Sequence, residues 1–213
     1  MMAPDQIRAL QRAMLTVPGV TLPRFGADGE WGAETAAAFA LVIAKAGGTP
    51  VGWSATPTWE DERLLDDLRR FEGLRLSPYL DTEGVPTIGY GHTGPEITMA
   101  HPGITAARAE ELLRLDVAKH DRLLFAALPW VERLDPARRM VMRNLAFNMG
   151  VGWPPTRDRK GRGLRSFVNT LAAIQAGQWD KAADGLLASK WAKQVGPTRS
   201  GYLASIMRSG RLT

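Results

Sequence analysis

The chain has 213 residues, 45% of them apolar, and no cysteine, which excludes a disulfide scaffold, a cysteine nucleophile and thiolate metal ligation. The net charge is +5, but residues 101–213 hold 19 bases against nine acids, while residues 51–100 hold nine acids against four bases. A basic half points to a polyanionic partner, and an acidic middle points to chemistry that needs carboxylates.

Ile7, Leu10, Met14 and Leu15 share one face of a helix predicted over residues 4–15. A turn-rich stretch with Pro18, Gly19, Pro23, Gly26, Asp28 and Gly29 follows, and an alanine-rich helix over 33–46 stops at Gly47. Residues 47–58 are dominated by glycine, proline, serine and threonine and read as a linker. Thr58 is placed to cap a helix whose first turn carries Glu60, Asp61 and Glu62, and whose buried face is Leu64, Leu65, Leu68 and Phe71. Gly73 ends it. Short strands are predicted at Tyr79–Leu80 and Val85–Tyr90, around a turn at Thr82, Glu83 and Gly84. Thr105 caps a helix to about Ala127, and Asp135 with Pro136 opens another that ends near Gly150. Further helices are expected at about 166–176, 179–189 and 199–209. Met1 to Gln6 lacks the basic and apolar regions of a signal peptide, and no apolar run nears the roughly 20 residues a bilayer requires.

Two carboxylates stand in contrasting settings. Glu72 lies in the last turn of its helix, where the negative dipole end and flanking Phe71 and Leu74 favour the protonated form required of a general acid. Asp81 begins a polar turn rich in donors and is expected to stay ionised. Thr87, on the returning strand, is close enough in sequence for its hydroxyl to approach the Asp81 carboxylate. An acid kept protonated and a carboxylate kept charged are what glycoside hydrolysis needs.

The run from Phe71 to His92 resembles the catalytic region of the T4-type phage lysozymes, glycoside hydrolase family 24, with eight, five and four residues separating Glu72, Asp81, Thr87 and His92. Asn144–Gly150, Phe167–Thr170, Gln178–Ala183 and Ser189–Trp191 resemble the helical lobe of that family, so the likeness covers about 59–213. Ile7–Gln11 and Phe25–Thr35, centred on Asp28 and Gly29, resemble the small three-helix peptidoglycan-binding module of wall hydrolases. These resemblances imply a mainly α (α+β) protein. Residues 1–46 would be a wall-binding module, 47–58 a linker, and 59–213 a lysozyme-like domain with a small β-sheet lobe and a larger helical lobe. They also imply a monomeric phage endolysin, a muramidase cutting the β-1,4 bond between N-acetylmuramic acid and N-acetylglucosamine in bacterial peptidoglycan. Made in the host cytoplasm, it would reach the periplasm or cell wall through a separate pore. Thr93, Phe147 and Thr170 match sugar-contacting positions. The paired hydroxyl and carboxylate of Thr87 and Asp81 suit a clamp on one water, so inversion is expected, with Glu72 as acid. No cofactor, metal or nucleic acid is implied.

Several positions depart from the family. The stretch from His92 to Ile104 is short, Thr93 replaces leucine, and Gly185 replaces a sugar-contacting asparagine. Residues 151–166 are longer than expected and carry Arg157, Arg159, Lys160, Arg162 and Arg165 against Asp158, a solvated loop or a contact for an anionic outer-membrane or wall surface. His92, His101 and His120 have no metal-ligand spacing, and His92 is expected to be a structural hydrogen-bonder. Trp179 and Trp191 are expected in the core. Two alternatives stand beside the muramidase. One is a lytic transglycosylase, which needs no water-activating Asp81. The other is membrane permeabilisation by a helix around Tyr202, Leu203, Ile206 and Met207 with Arg199, Arg208 and Arg211.

Overall fold

The computed structural model describes residues 59–212 except Thr82, and within the first 58 only Arg8, Ala9, Gln11, Arg12, Met14 and Leu15. The chain divides into two compact units, Met1–Thr58 and Trp59–Thr213. In the first, Arg8, Ala9, Gln11, Arg12 and Met14 are helical, and Gln11 and Met14 are buried. The expected second helix, the linker, and Asp28 and Gly29 lie outside the described residues.

The second unit opens with α1 (Trp59–Glu72), acidic in its first turn and basic in its last at Arg69 and Arg70, as the helix dipole favours. Leu64, Leu65 and Leu68 are buried, and Gly73 follows the last turn. An antiparallel hairpin comes next: β1 (Arg75–Leu80) and β2 (Pro86–Gly89), with Tyr79 opposite Thr87 and Leu80 opposite Pro86. The first strand starts four residues before its expected position. Its burial does not alternate along Arg75–Ser77, so the period-2 signal is missing.

Helix α2 (Ala106–Ala127) is capped by Thr105, whose hydroxyl accepts from the Arg108 N–H at 3.1 Å. Helix α3 (Pro136–Met149) is capped by Asp135 with proline in its first turn. Between them Pro129–Arg133 forms a 3₁₀ turn that hydrophobic periodicity does not reveal. Helices α4 (Val168–Gln175), α5 (Trp179–Leu187) and α6 (Lys190–Ser209) complete the unit.

Helix α6 corrects the expected start at 199. It begins at Lys190, and its two helical segments meet in a kink at Gly196, which sits at φ 80, ψ 169, just before Pro197. An L side chain at that φ is strained, so glycine permits the break.

The core lies among the helices. Leu64, Leu68, Leu113, Met140, Leu145 and Leu203 belong to one buried cluster, each such side chain contributing about 2 kcal/mol of burial. Leu203, Ile206 and Met207 are fully buried. The apolar face of α6 considered above for membrane permeabilisation is therefore core. No helix among the described residues is long and apolar enough to cross a membrane. The unit is thus mostly helical with one small two-stranded sheet.

A charged network crosses this core. Arg143 reaches Glu60 at 3.3 Å, Asp61 at 2.7 Å and Asp121 at 2.8 and 3.0 Å. Arg139 adds a bidentate pair to Glu60 at 2.9 and 2.5 Å. Burial pushes the Asp121 carboxyl up, against the opposing pull of Arg143. Glu60 thus does more than complement the dipole of α1: it is 7% exposed and ties that helix to α3.

Candidate active site

The C-terminal end of α1 delivers Glu72 to the foot of the hairpin. Its Oε1 accepts from Arg199 Nη1 at 2.7 Å and from Asn148 Nδ2 at 3.5 Å. Among the described residues, Oε2 has no hydrogen-bond partner. The expected apolar surroundings are replaced on one side by a guanidinium with only 6% side-chain exposure. Arg199 comes from α6 beyond the kink, lies over the Phe71 ring at 5.1 Å, and donates through Nη2 to Asn144 Oδ1 at 2.8 Å. Trp191, on the near side of the kink, donates through Nε1 to Asn148 Oδ1 at 2.8 Å. Two arms of one bent helix therefore grip Asn144 and Asn148, which lie four apart on α3 and share a face.

Asp81 follows β1 directly. Its Oδ1 accepts from the N–H groups of Glu83 at 2.9 Å and Val85 at 2.8 Å, which close the turn. Its Oδ2 has no partner among the described residues. Both carboxylates thus have one anchored oxygen and one open oxygen.

Thr87 differs from expectation in one respect. Its hydroxyl donates to the Val85 carbonyl at 2.9 Å, and not to Asp81, and the residue is 2% exposed. The register pairs it with Tyr79, which puts Thr87 diagonally across the same hairpin face from Asp81, a separation of about 7–8 Å between backbones. The Thr87 oxygen keeps acceptor capacity.

Tyr79 links the two carboxylates electrostatically. Burial pushes its phenol up, Arg75 stacked at 4.3 Å pulls it down, and the negative fields of Glu72 and Asp81 both raise it. Glu72 and Asp81 therefore lie within electrostatic reach of one phenol.

The expected sugar contacts meet different fates. Thr93 is exposed, one residue after His92. Phe147 is half-buried and packs on His120, ring centroids 5.3 Å apart. Thr170 is buried against α5, where a Cβ on Gly185 would meet its Oγ1 at 2.5 Å. Glycine at 185 thus makes room for Thr170 between two helices. His92 is the hydrogen-bonder expected: Nδ1 faces Asp116 at 2.8 Å and Nε2 faces Glu96 at 3.2 Å. Burial pulls its pKa down, but the two carboxylates outweigh this and the net shift is upward. Trp191 is buried in the core, whereas Trp179 is half-buried beneath Arg138 at 3.9 Å. No group of three or more metal-ligating side chains occurs among the described residues.

Sequence reasoning missed Arg199 and Asn148 as partners of Glu72, and Asn144 as the acceptor that holds Arg199. A signal was present: two asparagines at i and i+4 on a helix otherwise apolar there, at Leu145 and Ala146.

The family model described as phage lysozyme matches residues 69–205, more than half of the chain. The chain is similar to the pre-baseplate central spike protein Gp5 of Enterobacteria phage T4, with 33% identity over 70% of this chain and 28% of that protein. It is also similar to the probable T4-type lysozyme 1 of Dictyostelium discoideum, with 28% identity over 70% of this chain and 95% of that one. A third relative is an endolysin of Bacillus phage B103, with 33% identity over 64% of this chain and 46% of its own length. The matched stretch thus spans nearly all of the Dictyostelium protein, about a quarter of the T4 protein and under half of the B103 endolysin.

Proposed function

Since the chain belongs to the phage lysozyme family, a family of glycoside hydrolases, we propose that it is an endolysin muramidase. It cuts the β-1,4 bond between N-acetylmuramic acid and N-acetylglucosamine in bacterial peptidoglycan. The observation that carries this reading is the matched pair of half-anchored carboxylates, each with one oxygen held and one open.

In this reading Glu72 gives a proton to the leaving glycosidic oxygen through Oε2, while Arg199 and Asn148 hold Oε1. Asp81 uses its open Oδ2 to take a proton from water, and Thr87 accepts a hydrogen bond that orients that water. Attack from the face opposite the leaving group inverts the anomeric centre. Asp81, held in place by two backbone amides, supports hydrolysis over a lytic transglycosylase, which has no use for a water-activating carboxylate.

The protein would act as a monomer on the wall, made in the host cytoplasm and released through a separate pore. Residues 1–46, with Asp28 and Gly29, would add wall affinity by raising the local concentration of enzyme. Deleting residues 1–56 should leave cleavage of soluble glycan intact and reduce pelleting with insoluble wall.

The deciding experiment follows the first-formed product from purified peptidoglycan by NMR before mutarotation, with mass spectrometry of the ends. An α-configured reducing end is expected. A β-configured end or an adduct on Asp81 would mean retention, and an anhydro end would mean transglycosylation.

A further inference from the structure

Helices α1 and α6 meet at two polar points. At one, Arg199 holds Glu72 Oε1 at 2.7 Å. At the other, the Tyr202 hydroxyl donates to the Asp67 carboxylate, whose oxygens lie 2.8 and 3.0 Å away, and accepts from Arg63 Nη2 at 2.9 Å. Arg63 Nε lies 3.7 Å from the same carboxylate. Asp67 is 3% exposed and belongs to the buried residues of α1 with Leu64 and Leu68. Burial pushes its carboxyl up, with Tyr202 and Arg63 pulling the other way. Burial also pushes the Tyr202 phenol up, so its hydroxyl remains a donor. A carboxylate in this place is a poor choice for stability alone, because an apolar side chain of similar size would avoid its desolvation. What the acid adds is direction. A hydrogen bond fixes distance and angle, whereas apolar contact is non-directional.

The two points are linked through one ring. Arg199 and Tyr202 stand three apart on α6 and share a face. The Phe71 ring lies 5.8 Å from that of Tyr202 and 5.1 Å from the Arg199 guanidinium. Arg199 and Tyr202 both follow the break at Gly196. Helical hydrogen bonding before the break therefore does not dictate the direction of the arm after it. Leu203, Ile206 and Met207 bury that arm in the core, but their contacts permit rotation and sliding. Arg138 ties down the far end at the Met207 carbonyl, 2.8 Å away. At the near end, where Arg199 works, the tie to α1 is Tyr202 with Asp67. Arg199 does not locate itself, since its Nε is buried without a partner.

We propose that Asp67 and Tyr202 are positioning residues: their buried hydrogen bond sets the register of the far arm of α6 on α1, and so sets where the Arg199 guanidinium meets Glu72. They act on the reaction through Arg199. This rests on Glu72 being the general acid of the muramidase reading.

The test measures kcat and KM of the full chain on purified peptidoglycan. Tyr202→Phe keeps the ring against Phe71 and removes only the hydroxyl. It should lower kcat about tenfold with KM unchanged, since a displacement near 1 Å outside the reacting groups costs up to about 100-fold. Asp67→Asn keeps an acceptor for the hydroxyl and should retain most of kcat, whereas Asp67→Ala should lose as much as Tyr202→Phe. The decisive arm repeats Tyr202→Phe in an Arg199→Lys background. There it should lower kcat by less than about twofold further, because the two changes share one route. The same tenfold factor in both backgrounds would mean a hydroxyl that is only structural, and overturns the proposal. So does wild-type kcat in Tyr202→Phe, or a loss confined to KM. Should Tyr202→Phe fail to fold, Asp67→Glu, which keeps the charge and displaces the acceptor by one methylene, is read by the same criteria. If Glu72→Gln turns over normally, the reading of the acid fails. If Glu72→Gln is inactive while Tyr202→Phe is indistinguishable from wild type, the positioning proposal alone fails.

Discussion

Arg143 and Arg199 are both buried arginines that connect α1 to distant helices, yet their surroundings differ. Arg143 uses Nε, Nη1 and Nη2 on three carboxylates. Arg199 uses Nη1 and Nη2, while its Nε and the Nδ2 of its neighbour Asn144 are buried without a partner. A network whose donors are all satisfied holds helices together. Where a network is left incomplete, and a carboxylate keeps an open oxygen, the fold has reserved polar capacity for something that arrives later.

The contrast breaks most visibly at Arg143. Replacing it with methionine leaves the Asp121 carboxyl buried without its guanidinium and should cost about 3–5 kcal/mol in urea unfolding. Activity per folded molecule should stay close to wild type. If activity falls in parallel, the two arginines are not separable.

Glu72→Gln should do the reverse. The amide oxygen can still accept from Arg199, so the fold should persist, while kcat on purified peptidoglycan drops at least about 100-fold. Near-normal muropeptide release would remove Glu72 from its role.

His92 sharpens the comparison through pH. Its folded pKa is raised by Asp116 and Glu96 despite burial. The protonated ring is thus favoured in the fold. Its contribution is complete below the unfolded histidine pKa, about 6.5, and is lost as pH rises through the higher folded value. His92→Asn should cost on the order of 2 kcal/mol at pH 5, with the loss fading in alkaline buffer. An equal loss at pH 5 and pH 9 would contradict an imidazolium between two carboxylates.

Thr87→Val should have the smallest effect. Removing one hydroxyl of about 1 kcal/mol should lower kcat about fivefold with little change in KM. A loss as large as that of Glu72→Gln would mean that Thr87 does more than orient water.

The legible parts of this molecule are those written locally. Thr105 and Asp135 cap helices because the capping bond spans three residues, and Gly73 marks a helix end wherever it occurs. The positions of Glu72 and Asp81 were legible because spacing carries them. The grip on Glu72 was not, since its partner lies 127 residues away and only packing brings it there. The segment of α6 before Gly196 was not expected, because glycine followed by proline carries the local signal of a helix boundary whether the chain stops there or only kinks. The packing of Thr170 against Gly185 was not legible either, because it depends on how closely α4 approaches α5.

The bent helix also sets a clock. Glu72, Asp81 and Thr87 all precede residue 90, but the side chain that fixes Glu72 is Arg199. At about 5–20 residues per second of synthesis, the ribosome has made both carboxylates on the order of ten seconds before it makes their clamp. A nascent chain stalled anywhere between β2 and α6 carries both carboxylates without the Arg199 clamp that fixes one of them. The competence of the site therefore becomes a late event in the life of each molecule, timed by the emergence of α6.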